Sequence, residues 1–219
     1  MVKVLARFRA VFFLARYLFS MSAPRLILAS TSRYRRELLS RLQLPFDTMA
    51  PEVDETPAAG ETPAATASRL ACAKAQAVAA RVPQALVIGS DQVATVDGAQ
   101  IGKPGSHERA LQQLQTLRGR QVVFHTALCL LDGRTGAGAP RQSTEVQSVV
   151  RFRDLPDAEL DAYLRIEQPY DCAGSAKNEG LGIALLESIE STDPTALTGL
   201  PLIALTSMLR RAGFAFFTK

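Results

Sequence analysis

Asp91 stands where a carboxylate is hard to place. It follows the apolar run Ala85-Leu86-Val87-Ile88 and then Gly89-Ser90, and apolar residues resume at Val93. A run like this, bounded by Pro83 on one side and Asp97-Gly98 on the other, predicts a strand buried on both faces. A carboxylate inside such a strand is costly unless it is partnered. Asp91 therefore either ends the strand and caps a turn, or is a functional carboxylate delivered to a cleft by a rigid element. Gly89 suits the second reading, because a missing side chain lets a ligand or another backbone approach.

The cations are equally pointed. Arg33, Arg35 and Arg36 crowd the first turn of a predicted helix over residues 33–43, just after a short apolar strand at 25–30 and a Thr31-Ser32 capping signal. That is the wrong charge for a helix N-terminus. Either the arginines are solvated, or a bound polyanion compensates them, with Ser30, Ser32 and the free N–H groups completing a phosphate site. Glu52, Asp54 and Glu55 lie between Pro51 and Pro57, as a solvated acidic loop or as a cation site facing the arginines. Lys74 sits on the apolar stripe Ala67, Leu70, Ala71 and Val78 of a helix opened by Thr62 and Pro63. It either snorkels to water or points into a cleft. Lys103 lies in Gly102-Lys103-Pro104, and Lys177 and Glu179 lie in a glycine-punctuated loop at 171–182.

The elements that must position these groups read as an α/β chain. Ser106 begins a helix apolar at Ala110, Leu111, Leu114 and Leu117 and closed by Gly119. Two β-rich segments, 121–131 and 143–152, flank a glycine-rich hairpin loop at 132–140. Pro156 starts another helix, 183–186 reads as a strand, and Leu200-Pro201 opens a last helix that ends at Gly213. No internal repeat and no domain-separating linker interrupts the order.

Composition narrows the chemistry. The 219 residues are 47% hydrophobic and 21% charged, which suits one large domain or two tightly joined lobes. Cys72, Cys129 and Cys172 form no CxxC pair and are odd in number, as expected in a reducing compartment without disulfides. With only His107 and His125, a zinc centre is not expected, so a metal should be oxygen-ligated, as magnesium or manganese is. The net charge of +4 comes from Lys3, Arg7, Arg9 and Arg16, and the rest of the chain carries 21 basic and 21 acidic residues. No nucleic-acid groove is implied. Residues 1–20 put a basic start before the apolar run 10–15, which Arg16 interrupts short of the ~20 residues of a membrane span. We expect residues 1–24 to be an extension outside the fold, with Met21 the start, and residues 25–219 to be a single domain. An amphipathic surface helix and a weak targeting segment are the alternatives.

Taken together, seven blocks resemble one family. Ser30-Thr31-Ser32-Arg33-Tyr34-Arg35-Arg36-Glu37-Leu38-Leu39 resembles its N-terminal signature. Glu52-Val53-Asp54-Glu55, Arg69-Leu70-Ala71 with Lys74-Ala75, Gly89-Ser90-Asp91, Gly102-Lys103-Pro104, Ala173-Gly174 and Gly199-Leu200-Pro201 follow in order. The chain is thus similar to the Maf family of nucleotide pyrophosphatases over roughly 25–212. The resemblance implies a mixed twisted sheet flanked by helices, in an elongated two-lobed fold like that of inosine triphosphatases, with a nucleotide in a central cleft. It implies hydrolysis of a nucleoside triphosphate to monophosphate and pyrophosphate with a divalent metal. On this sequence Asp91 takes the place of the catalytic base, and Arg35, Arg36, Lys74 and Lys103 those of phosphate-facing cations. Asp54, with Glu55 beside it, falls near the implied metal. The positions that separate subfamilies fall on Tyr34, Gln92 and Glu179. Ser-Asp-Gln and Asn-Glu-Gly match the branch acting on 7-methyl-GTP, whereas Tyr34 replaces its usual Trp.

A triphosphate carries about four negative charges, so these cations suit both its binding and the charge that develops as pyrophosphate leaves. An ionised Asp91 could deprotonate a water attacking the α-phosphorus. The expected partner is a nucleoside triphosphate, with no nucleic acid or membrane, in the cytoplasm; a homodimer is one option among the oligomeric states. The alternatives are a dTTP or UTP pyrophosphatase, and a nucleotide-binding regulator of septum formation, a role also described for this family.

Overall fold

A computed structural model describes residues 24–136 and 140–217. The segment 1–20 and the expectation attached to it lie outside the described residues.

Among the described residues, seven strands form one sheet. In chain order the elements are β1 (Leu26–Leu28), α1 (Arg33–Ser40), β2 (Asp47–Thr48), α2 (Pro63–Ala79), β3 (Leu86–Val96), β4 (Ala99–Ile101), α3 (His107–Leu117), β5 (Gln121–Asp132), β6 (Arg141–Phe152), α4 (Asp157–Glu167), β7 (Leu186–Ser191) and α5 (Leu202–Arg211). The strand order is β2-β1-β3-β5-β6-β7, with β4 also paired to β3. β1 runs parallel to β2 and β3, and the other pairs are antiparallel. The sheet is therefore mixed and helix-flanked, as the family resemblance implied. Among the described residues no helix is long and apolar enough to cross a membrane.

One edge of β3 is shared by two short strands. β5 pairs along the whole of β3, from Leu86 to Val96. On the other side β1 pairs only with residues 86–88 and β4 only with residues 94–96. Residues 89–93 thus have no strand beside them on that edge among the described residues. Asp91 lies in the middle of this gap, inside an eleven-residue strand, so the reading of it as a strand-end turn cap is set aside.

The core divides around the gap. Alternate residues of a strand face opposite sides. Leu86 and Ile88 join a cluster with α1 and α5, including Leu38, Leu39, Leu205 and Leu209. Ala94 and Val96, on the same side, join a separate cluster with α3 and α4, including Leu114, Leu117, Leu160 and Leu164. Ser90 and Gln92 fall between the two. The opposite side carries Val87 and Val93 against α2, through Ala67, Ala71, Ala75 and Val78. Burying each large side chain contributes about 1.5–3 kcal/mol, so each lobe has its own stabilising core and the junction is left for polar groups.

Two local expectations shift. The first helix ends at Ser40, ahead of the left-handed Gln43 (φ 54°). Residues 181–185 form a 3₁₀ turn where a strand was expected, and β7 starts at Leu186. The turn is tight, since a Cβ on Gly182 would meet the Lys177 amide nitrogen at 2.4 Å. The apolar residues there mark a turn end, and five of the six β7 residues are not buried, which hid the strand.

Candidate active site

A cavity of about 680 Å³ opens at the gap in β3 and reaches both faces of the sheet, so Asp91 and Gln92 both line it although they point to opposite sides. It also takes in the turn from Ala29 to Arg35 after β1. A crevice beyond the carboxyl end of a parallel strand is where open α/β sheets bind ligands, and this volume suits a nucleotide.

At one end stands a buried ion pair. Lys74 Nζ donates to Asp91 Oδ1 at 2.7 Å, with the two side chains only 6% and 9% exposed. The same ammonium lies 2.7 Å from Glu55 Oε1. Lys74 thus points into the cleft and does not snorkel. Removing one member of such a pair costs about 3–5 kcal/mol, because the other charge is left buried. Asp91 Oδ2 has no donor among the described residues, and none of their buried side-chain polar atoms lacks a partner, so Oδ2 meets solvent in the cavity.

The turn after β1 supplies further polar groups. Ser32 caps α1, its Oγ accepting from the Arg35 amide at 3.4 Å, and Ser30 Oγ accepts from the Ser32 amide at 3.1 Å. Arg35 Nε donates to the Gly199 carbonyl at 2.9 Å, an oxygen that Ser90 Oγ also reaches at 2.9 Å. Gly199 sits at φ 105°, a conformation open essentially only to glycine. The Gly-Leu-Pro block therefore holds Arg35 in the cleft. Burial lowers the Arg35 pKa, and the charges of Asp91 and Glu55 oppose that shift. Lys103 is exposed on the loop after β4 and lines the cavity.

Two residues of the expected set stand apart. Arg36 is exposed and outside the cavity lining. Asp54 is also outside it, and its Oδ1 accepts from the Thr56 amide at 2.9 Å. Both follow from geometry. Arg36 is one position, about 100° of helix, past Arg35, and Asp54 turns back on its own loop while Glu55 faces the cleft. Among the described residues no three His, Cys, Asp or Glu side chains form a metal-binding group.

The other end of the cavity is walled by Phe124, Val150, Phe152, Leu186 and Leu197, with Gln92, Asn178, Glu179 and Tyr34 as its polar rim. Desolvation raises the pKa of the Glu179 carboxyl, although the residue still reaches solvent. Tyr34 Oη accepts from Arg33 Nη2 at 2.7 Å and faces the Asp171 carboxylate at 3.4 Å. Its pKa is pushed up to about 12, chiefly by burial. The Arg33 guanidinium lies 4.7 Å from the Tyr34 ring centroid, so one face of the ring already holds a cation.

Sequence reasoning missed several supporting contacts. Arg69 pairs with Glu61 at 2.8 Å and donates to the Thr56 carbonyl at 3.1 Å, pinning the loop that carries Glu55. Asp193 is 2% exposed and accepts from the Ile203 and Ala204 amides at 2.7 and 3.2 Å, capping α5 from outside the helix. Neither partnership leaves a spacing signal, because the partners are joined through loops.

The family described as Maf-like protein matches residues 25–212. This chain belongs to the Maf family. Proteins named 7-methyl-GTP pyrophosphatase resemble this Maf protein closely. That of Burkholderia pseudomallei (strain 1710b) is 69% identical over 199 residues, covering 90% of this chain and 91% of its own. That of Cupriavidus pinatubonensis (strain JMP 134 / LMG 1197) is 65% identical over 194 residues, covering 89% and 96%. A solved nucleoside-triphosphatase / dITP/XTP pyrophosphatase from Mycobacterium abscessus aligns at TM-score 0.40 and 14% identity, over 85% of this Maf chain and 93% of its own, a likeness too loose to weigh further.

Proposed function

We propose that this Maf protein hydrolyses 7-methyl-GTP at the α–β phosphoanhydride bond, giving the nucleoside monophosphate and pyrophosphate. The observation that carries the reading is the division of one cavity into a cationic end around the buried Asp91–Lys74 pair and an apolar end rimmed by Gln92 and Glu179. The triphosphate belongs at the first end and the base at the second. Arg35, Lys74 and Lys103, with Ser30 and Ser32, face the phosphates and neutralise charge as pyrophosphate departs. The open Oδ2 of Asp91 takes a proton from the water that attacks the α-phosphorus.

A divalent cation, magnesium or manganese, fits the donor set. Magnesium is commonly held by one or two carboxylates together with substrate phosphates. Asp91 and Glu55, which already converge on one ammonium, would supply those carboxylates. When bound, the metal offsets phosphate charge; Asp54 is the weaker candidate ligand because it faces away.

At the base end, an ionised Glu179 accepts from both N1–H and the exocyclic amine of guanine. Methylation at N7 makes the base cationic, which favours a carboxylate and an aromatic face, the latter worth about 0.5–2 kcal/mol. Tyr34 offers the ring face that Arg33 leaves uncovered. Pyrophosphate release should be assayed with magnesium on 7-methyl-GTP, GTP, UTP and dTTP, with 7-methyl-GTP expected to turn over best. Preference for UTP or dTTP would overturn the substrate, and release from none of them would overturn the enzyme reading in favour of a nucleotide-binding regulator.

A further inference from the structure

Gln92 presents one defined end of its amide to the cavity, and Thr126 with two backbone carbonyls decides which end. The Gln92 Nε2 group is surrounded by oxygens: Thr126 Oγ1 at 2.8 Å, the Ala196 carbonyl at 3.1 Å and the Leu197 carbonyl at 3.0 Å. An amide oxygen placed there would meet two carbonyls that cannot donate. The hydroxyl could in principle donate, but Thr126 Oγ1 already donates to the Ala196 carbonyl at 3.0 Å, so toward Gln92 it acts as acceptor. Thr126 is fully buried and directly opposite Gln92 across β3 and β5. The network therefore sets the amide orientation, with NH₂ inward and carbonyl outward.

The outward oxygen, Oε1, accepts from no described residue. Gln92 is half-buried and lines the cavity, and no described side-chain polar atom is buried without a partner, so Oε1 is open to the cavity. The base end thus shows two acceptors, Gln92 Oε1 and Glu179. Guanine carries three hydrogens on the matching edge, N1–H and two on the exocyclic amine. A carboxylate takes two of them and leaves one amine hydrogen for Gln92.

We propose that Thr126 is a positioning residue that holds the Gln92 carbonyl toward the nucleobase, where it accepts the second hydrogen of the guanine exocyclic amine. The proposal rests on the reading of the substrate as a guanine nucleotide. It makes Gln92 and Thr126 together a sensor of the 2-amino group, distinct from the charge recognition at Glu179.

The test compares kcat and KM of the full chain on 7-methyl-GTP and on 7-methyl-ITP, which lacks only that amine. The wild type should favour 7-methyl-GTP. Thr126→Val keeps the volume but removes one of the three acceptors that hold Nε2, so the amide is held less firmly between the two remaining carbonyls. It should lower kcat/KM for 7-methyl-GTP roughly threefold to tenfold, the worth of one neutral hydrogen bond, through KM, with little change on 7-methyl-ITP. Thr126→Ser should restore the preference. Gln92→Met should lose it too, and the double variant should discriminate no worse than Gln92→Met alone. Equal losses on both substrates, or unchanged discrimination in Thr126→Val, would overturn the proposal. Wild-type discrimination in Gln92→Met would do so even if Thr126→Val failed to fold. A wild type that releases pyrophosphate from neither purine would instead overturn the substrate reading on which the proposal stands.

Discussion

The backbone of Gly89 lies so close to Ala71 that a Cβ on Gly89 would fall 2.0 Å from the Ala71 carbonyl oxygen and 2.8 Å from the Ala75 amide nitrogen. α2 is therefore seated directly on β3, and this seating brings Lys74, between those two contacts, onto Asp91. The glycine serves the approach of another backbone. Gly89→Ala should lower stability by about 3 kcal/mol, the upper part of the usual range for overpacking, because backbone cannot give way as a side chain can. Turnover should fall with it as Lys74 is pushed off Asp91. A thermal melt and a pyrophosphate assay check both; an unchanged melting temperature would show that α2 yields without cost.

Asp91→Asn tests the base. The amide keeps the size and one hydrogen-bonding oxygen for Lys74 but has no basicity. kcat should drop by a factor on the order of 10²–10⁴, the usual worth of general-base catalysis, while nucleotide affinity measured by calorimetry persists. Near-normal turnover would transfer the role to Glu55, the other carboxylate on Lys74.

Glu179→Gln replaces a charged acceptor with an amide that can accept only at one end. kcat/KM for 7-methyl-GTP should fall by roughly tenfold or more, since a hydrogen bond to a charged group is worth ~1.5–3 kcal/mol, with a much smaller effect on UTP. Losses of equal size on both nucleotides would remove Glu179 from base selection.

Glu61 gives the fold a pH dependence. Its hydrogen bonds from Arg69 and from the Ala58 amide hold its pKa at about 2, below the ~4.3 of a free glutamate. A carboxylate depressed on folding adds stability above its unfolded pKa and loses that contribution as pH falls through the folded one. Glu61→Gln should therefore lower the melting temperature at pH 7, and the gap to wild type should close between about pH 4.3 and about pH 2. A gap that stays constant down to pH 2 would mean that the ion pair contributes nothing measurable.

The residues, with the family resemblance they carry, determined the class of fold and singled out most of the side chains that the structure places around the candidate cavity. Apolar runs, caps such as Thr62-Pro63 and Ser106, and positive-φ glycines act locally, so β3, α2 and α3 were legible from their own segments. Asp91 and Lys74 stood out because charges on apolar stripes are costly without a partner. Sequence could not say whether Lys74 met water or Asp91, nor that Arg36 and Asp54 would turn from the cleft while Arg35 and Glu55 turned in. Those outcomes depend on the helix-to-strand distance at Gly89 and on loops pinned by Arg69 and Gly199, contacts between residues far apart in the chain. The orientation of the Gln92 amide belongs to the same class. It is set by a hydroxyl on β5 and two carbonyls near residue 197, oxygens that come together only when the sheet and the loop before α5 have packed.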